Sequence, residues 1–198
     1  KIEDATGGLP IYNTTDDYGD VKGAVEGEVY RADSSAGTTN GTGLVFAVPG
    51  DSVASGTCDV HQQINTGSSN KSVTAQGNTA TSTTKSRYYG TSIALDGSGD
   101  YLEFADSTDW DFGTGDFTVE LWIYPTNTSG YVGIIGSRAS SGWGMMYAPG
   151  DSYKLKFYTP TERASGANAI TVDKWQHVAV SRSGSTIKGF VNGVQVFS

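Results

Sequence analysis

Cysteine is nearly absent. Cys58 stands alone in 198 residues, so no internal disulfide is available. Histidine is almost as scarce. His61 and His177 lie far apart, and with one cysteine they exclude a zinc cluster. No run of about eighteen apolar residues occurs, so no hydrophobic helix spans a membrane. No signal peptide opens the chain. It begins at Lys1 rather than Met, which reads as a processed, trimmed or fragmentary polypeptide. Charged residues make up only 17% of the chain, below the ordinary quarter, and positive charge is the scarcer sign. Thirteen Lys and Arg stand against 21 Asp and Glu, a net charge of −8. A field of that sign repels phosphate backbones, so nucleic acid is excluded as a partner.

What is present is turn chemistry and aromatic mass. Glycine fills 27 positions, about double ordinary usage, and Ser and Thr fill many others. This composition disfavours helices and suits short strands joined by turns. Aromatics at 11% supply a core. Residues 1–42 carry only apolar islands, Ile11-Tyr12 and Val29-Tyr30, and read as an extended N-terminal arm or linker. A domain over 43–198 follows. Its first strand is Leu44 to Val48, and 51–87 read as weak edge strands and loops.

The pattern sharpens after Tyr88. Ser92–Leu95 and Tyr101–Phe104 flank Asp96-Gly97-Ser98-Gly99-Asp100 and read as a hairpin. Phe117–Tyr124 alternates strictly: Phe117, Val119, Leu121 and Ile123 share one face, and Thr118, Glu120, Trp122 and Tyr124 the other. Further strands are expected over 131–135, 143–147, 153–158 and 175–181. Ile187–Val191 and Val194–Phe197 flank Asn192-Gly193, the strongest short hairpin signal. Nothing carries a helical period, so the fold class is all-β.

Three segments and the Val191-Asn192-Gly193-Val194 turn carry a family likeness. The segments are Ser92–Leu102, Phe112–Trp122 (with Phe112-Gly113-Thr114-Gly115-Asp116-Phe117-Thr118-Val119-Glu120-Leu121-Trp122) and Lys174–Arg182. In this order they resemble the laminin-G-like, concanavalin-A-like lectin/glucanase superfamily. The resemblance implies a jelly-roll β-sandwich over roughly 43–198. Family members usually continue past the Asn-Gly hairpin with further strands, so the domain is expected to lack its C-terminal strand or strands. Ala5–Gly19 is similar to segments preceding such domains in virion structural proteins of marine tailed phages, including cyanophages. That likeness implies a head-decoration, fibre or tail-associated subunit on the virion surface. Its partners would be other virion subunits or copies of itself, and it would adhere to host surface glycans. The alternative is a secreted or cell-surface carbohydrate-binding module.

The fold hosts several chemistries, so the residues must choose. A glycosidase needs two carboxylates about the scissile bond, and related glucanases hold them at Glu-x-Asp-x-x-Glu spacing. Glu120 is the only acid between Phe117 and Tyr124, and no nucleophile-elbow sequence surrounds any serine. The reading is therefore non-catalytic. Glycan recognition needs flat aromatics ringed by polar groups. Trp110, Trp122, Tyr124 and Tyr131 are the candidates, each against a plain packing role; Trp143 and Trp175 read as core. Calcium is the one cofactor that the resemblance raises. Asp96 and Asp100 could hold it, although a tight turn asks for the same residues. The acidic loop Asp106-Ser107-Thr108-Asp109 with Asp111 is a second candidate. Glycosylation triplets at Asn13, Asn40, Asn70 and Asn127 matter only in a eukaryotic secreted protein.

Overall fold

The computed structural model describes residues 46–47, 64–65, 71–87, 90–137 and 142–198. The proposed arm over 1–42, and with it Ala5–Gly19, lies outside these residues, as do Cys58 and His61. The chain divides into two compact units, Lys1–Asp109 and Trp110–Ser198. This division falls inside the span that the sequence reads as one domain.

In the first unit β1 (Phe46–Ala47) pairs with β2 (Ile64–Asn65). Then β3 (Val73–Gln76) and β4 (Ala80–Ser82) run against β5 (Ser92–Ala94) and β6 (Tyr101–Phe104). β5 pairs antiparallel with β4, and β6 with β3. The expected hairpin between Ser92–Leu95 and Tyr101–Phe104 is therefore corrected. Those segments are successive pieces of one side of a ribbon, not partners. The Asp96–Asp100 loop does not reverse the chain. It is a kink pinned to the opposite side of the ribbon, where Asn78 donates its backbone N–H to Asp100 Oδ1 at 2.8 Å. Gly77 makes the fit possible: its φ is +68°, and a Cβ there would lie 2.3 Å from Asp100 Oδ1.

The second unit is a two-layer sandwich. One sheet has the order β11-β10-β9-β8, from β8 (Val132–Gly136), β9 (Gly144–Ala148), β10 (Lys154–Thr159) and β11 (Thr161–Ala164). The other has the order β14-β13-β12-β7, from β7 (Phe117–Ile123), β12 (Gln176–Ser183), β13 (Thr186–Val191) and β14 (Val194–Phe197). All neighbours are antiparallel. The inner faces meet in a buried cluster that includes Met145, Tyr147, Leu155, Phe157, Val178, Val180 and Ile187. Phe117, Val119, Leu121 and Ile123 pack against it, as their period of two requires. Asn192 (φ 49°) and Gly193 (φ 79°) form the predicted tight turn, whose positive angles suit the strand twist. β11 is absent from the sequence reading, because Thr161-Glu162-Arg163-Ala164 is polar and follows Pro160. Its burial is low, and it is held by pairing with β10.

Candidate functional site

The outer face of the β7–β12–β13–β14 sheet gathers the richest chemistry. The β7–β12 register sets Thr118 opposite Ser181, Glu120 opposite Ala179, and Trp122 opposite His177. On β13, Lys188 lies opposite Ser181 and Phe190 opposite Ala179. With strands about 4.8 Å apart, these side chains form a grid with the small Ala179 at its centre. The Trp122 and His177 rings are 5.4 Å apart and tilted by 53°. His177 Nε2 lies 3.4 Å from Glu120 Oε2, and the Glu120 side chain is 58% exposed. A shallow basin of about 470 Å³ opens beside them, lined by Ser181, Ser183, Thr186, Lys188 and Phe190.

The aromatic row continues past the end of β7. Tyr124 meets Trp175 edge-on, with ring centroids 5.6 Å apart. This corrects the assignment of Trp175 to the core: it is half-buried and follows the outward alternation set by His177, whereas Trp143 is buried among the inner residues. Three local devices hold the row in place. Buried Gln176 both donates to and accepts from the Thr171 backbone, at 2.6 and 3.0 Å. The Asp173 N–H donates to the Pro125 carbonyl at 2.8 Å. Asn192 Oδ1 accepts from the His177 N–H at 2.9 Å, tying the imidazole's backbone to the tight turn.

Of the four aromatics named from sequence, the structure brings Trp122 and Tyr124 onto one row. Tyr131 lies beside the other sheet, 63% exposed, with its ring 5.2 Å from the Lys156 ammonium. That ammonium bonds Asp151 at 2.8 Å and Glu162 at 3.0 Å. The bond to Asp151, then the bond to Glu162, hold the Lys156 pKa above the ordinary lysine range. The Asp151 carboxyl is held low, first by Lys156 and then by Lys154. Trp110 is half-buried, and its carbonyl accepts the Trp143 indole N–H at 2.8 Å. Phe190 and Lys188 were missed by sequence reasoning. Their signal was the outward alternation of β13, readable once the Asn-Gly hairpin is placed.

A known family profile, described as the concanavalin A-like lectin/glucanases superfamily, matches residues 96–198. The chain belongs to this superfamily. Searches of curated proteins and of solved structures match nothing to it. The superfamily's sandwich is what Trp110–Ser198 builds, and its lectin members make carbohydrate binding or adhesion the type of work the domain is suited to. Among the described residues, no helix is long and apolar enough to cross a membrane.

The superfamily likeness also raised calcium at Asp96 and Asp100, and the donors around these carboxylates answer the question of fit. Asp100 Oδ2 accepts the Asp96 N–H at 2.9 Å, and Asp100 Oδ1 accepts from Asn78. Asp96 Oδ1 accepts the Ser98 N–H at 2.7 Å. With its amide turned so that the nitrogen faces them, Asn78 would also donate to Asp100 Oδ1 and Asp96 Oδ2. The Asp96 N–H, ahead of the Asn78 N–H, depresses the Asp100 pKa. Carboxylates ringed by N–H donors serve the turn, and this arrangement does not fit a calcium cage. Among the described residues, no three His, Cys, Asp or Glu side chains converge as metal ligands. In the second acidic loop, Asp109 is bound to buried Lys71 at 2.6 Å.

Proposed function

We propose that this domain is a non-catalytic carbohydrate-binding module that engages surface glycans through the outer face of the β7–β12–β13 grid. The observation that carries the reading is the Trp122–His177–Glu120 set, extended by Tyr124 and Trp175. Flat rings meet the apolar C–H faces of a pyranose, while imidazole, carboxylate and hydroxyl groups meet its hydroxyls. The non-catalytic part rests on Glu120: its close partner is His177 and not a second carboxylate, whereas glycoside hydrolysis uses a pair.

A glycan array probed with the full chain tests this reading. Binding is expected, and Trp122→Ala should weaken it roughly tenfold, the value of one ring contact. His177→Ala should weaken it less. The absence of any bound glycan, or full binding by a folded Trp122→Ala protein, overturns the proposal.

We further place the module on the surface of a phage virion, assembled through residues 1–42 with other subunits or copies of itself. This setting is supported by the Ala5–Gly19 likeness. Repetition on one particle would convert weak single sites into strong adhesion. Mass spectrometry of purified particles should detect the chain, and a cryo-EM map should show it at repeated positions. Its absence from particles would favour the alternative, a secreted or cell-surface module.

A further inference from the structure

The basin on β12 and β13 differs in charge from the aromatic row beside it. Its lining offers one cation, Lys188, three hydroxyls, from Ser181, Ser183 and Thr186, and one half-buried ring, Phe190. Among the described residues, none of these four polar side-chain groups is engaged by another side chain or by the backbone. Elsewhere in the unit, Lys154 and Lys156 on the other sheet are ion-paired, and Arg182 donates to the carbonyls of Phe112, Gly113 and Gly115. Glu120 shares the sheet face two strands away and one row along, about 12 Å from Lys188 by strand geometry. That exceeds the screening length of about 8 Å at physiological ionic strength, so Glu120 is screened from Lys188, and Asp116, the acid at the Ser183 end of the basin, is engaged by the Gly184 N–H at 2.7 Å.

The wider charge distribution points the same way. The chain's negative charge belongs to the first unit. Residues 1–109 hold six Lys and Arg against fifteen Asp and Glu, and residues 110–198 hold seven against six. Residues 110–198 therefore carry no net share of the chain's negative charge.

We propose that the Lys188 basin is a subsite for an acidic saccharide unit, a sugar ring bearing a carboxylate or a sulfate. Phe190 packs on the ring's apolar face. The Ser181, Ser183 and Thr186 hydroxyls bond its hydroxyls, and Lys188 meets the anion. The inference rests on the glycan-binding reading above and specifies the ligand class.

The test measures binding of the full chain to dextran, polygalacturonate and dextran sulfate. One acidic polymer should bind roughly fivefold more tightly than dextran, as one exposed charge pair allows. Which acidic polymer wins identifies the anion. Lys188→Gln, an exposed change, should erase the preference, and Lys188→Glu should reverse it. Lys174→Gln, outside the basin, should leave it intact. Equal binding of acidic and neutral polymers, a preference surviving in Lys188→Gln, or an equal loss in Lys174→Gln overturns the subsite. In each case dextran binding keeps the glycan reading standing. Failure of all three polymers together with an empty glycan array overturns both.

Discussion

The described ribbon of the first unit and the sandwich of the second are held together by different physics. In Trp110–Ser198 the described interior is an apolar cluster of eleven buried residues between two sheets. In Lys1–Asp109 the described buried apolar cluster is Val73 and Ala75, with Ile93, Leu102 and Phe104 against it. Its other described buried groups are polar: the Lys71 side chain is fully buried against Asp109, and Thr79 is fully buried with its hydroxyl donating to the Gln76 carbonyl. The sandwich is built on removing hydrocarbon from water, and the described ribbon on staples. A ribbon so short of apolar surface must satisfy each buried polar group individually, and a lost partner is costly.

All four tryptophans fall in residues 110–198, so indole fluorescence reports on the sandwich alone. The largest expected effect is Phe157→Ala, which removes a fully buried ring at the centre of the cluster. It should cost about 3–5 kcal/mol in a denaturant titration followed by fluorescence. Amide exchange at β3 and β6 should stay unchanged; loss of protection there would break the contrast between the units.

Next comes Asp109→Ala. It removes the carboxylate 2.6 Å from the fully buried Lys71 ammonium and should cost the ribbon about 3 kcal/mol. Faster exchange over Val73–Gln76 with an unmoved fluorescence transition would sharpen the comparison. An unchanged ribbon would show that the ion pair is not its anchor.

The smallest effect concerns the sandwich's own ionic cluster. The depressed Asp151 pKa means its contribution is present above the ordinary carboxylate range and fades as pH falls through the lowered value. The raised Lys156 pKa means its contribution is complete below the ordinary lysine value and is lost only as pH rises past the raised one. Melting temperatures of the native chain and of Lys156→Met should therefore differ by a constant few degrees between about pH 5 and pH 9. The gap should close in acid. A gap that persists below about pH 3 would assign the effect to the lysine's aliphatic stem instead.

The legible parts of the fold were those in which one strand contains its own instructions. Phe117–Ile123 alternates cleanly, and Asn192-Gly193 supplies both positive-φ residues of its turn, so the strand and the hairpin could be read directly. Partnership between distant segments was not legible. Asp96–Asp100 has hairpin composition, yet its carboxylates bind across to Asn78 and bend the ribbon instead. Alternation placed Trp122 and Tyr124 outward on one strand. It could not say that Tyr131 belongs to the opposite layer, because side-chain period fixes a face within a strand and not the sheet that receives it. Trp175 was misread for a related reason: tryptophan mass suggests burial, and only the register with β7 shows its outward side.

At the far end of β7, Arg182 stacks over Phe117 at 5.0 Å and points its fork at the carbonyls of Phe112, Gly113 and Gly115, with Nε 2.6 Å from the Gly115 oxygen. A guanidinium keeps its proton at any acidity a living environment reaches, and backbone oxygens do not titrate there either. This clasp therefore holds equally well in acid and in alkali. The imidazole lies five positions along β12 from this clasp and the carboxylate three along β7, so the strands that present both are pinned at this end.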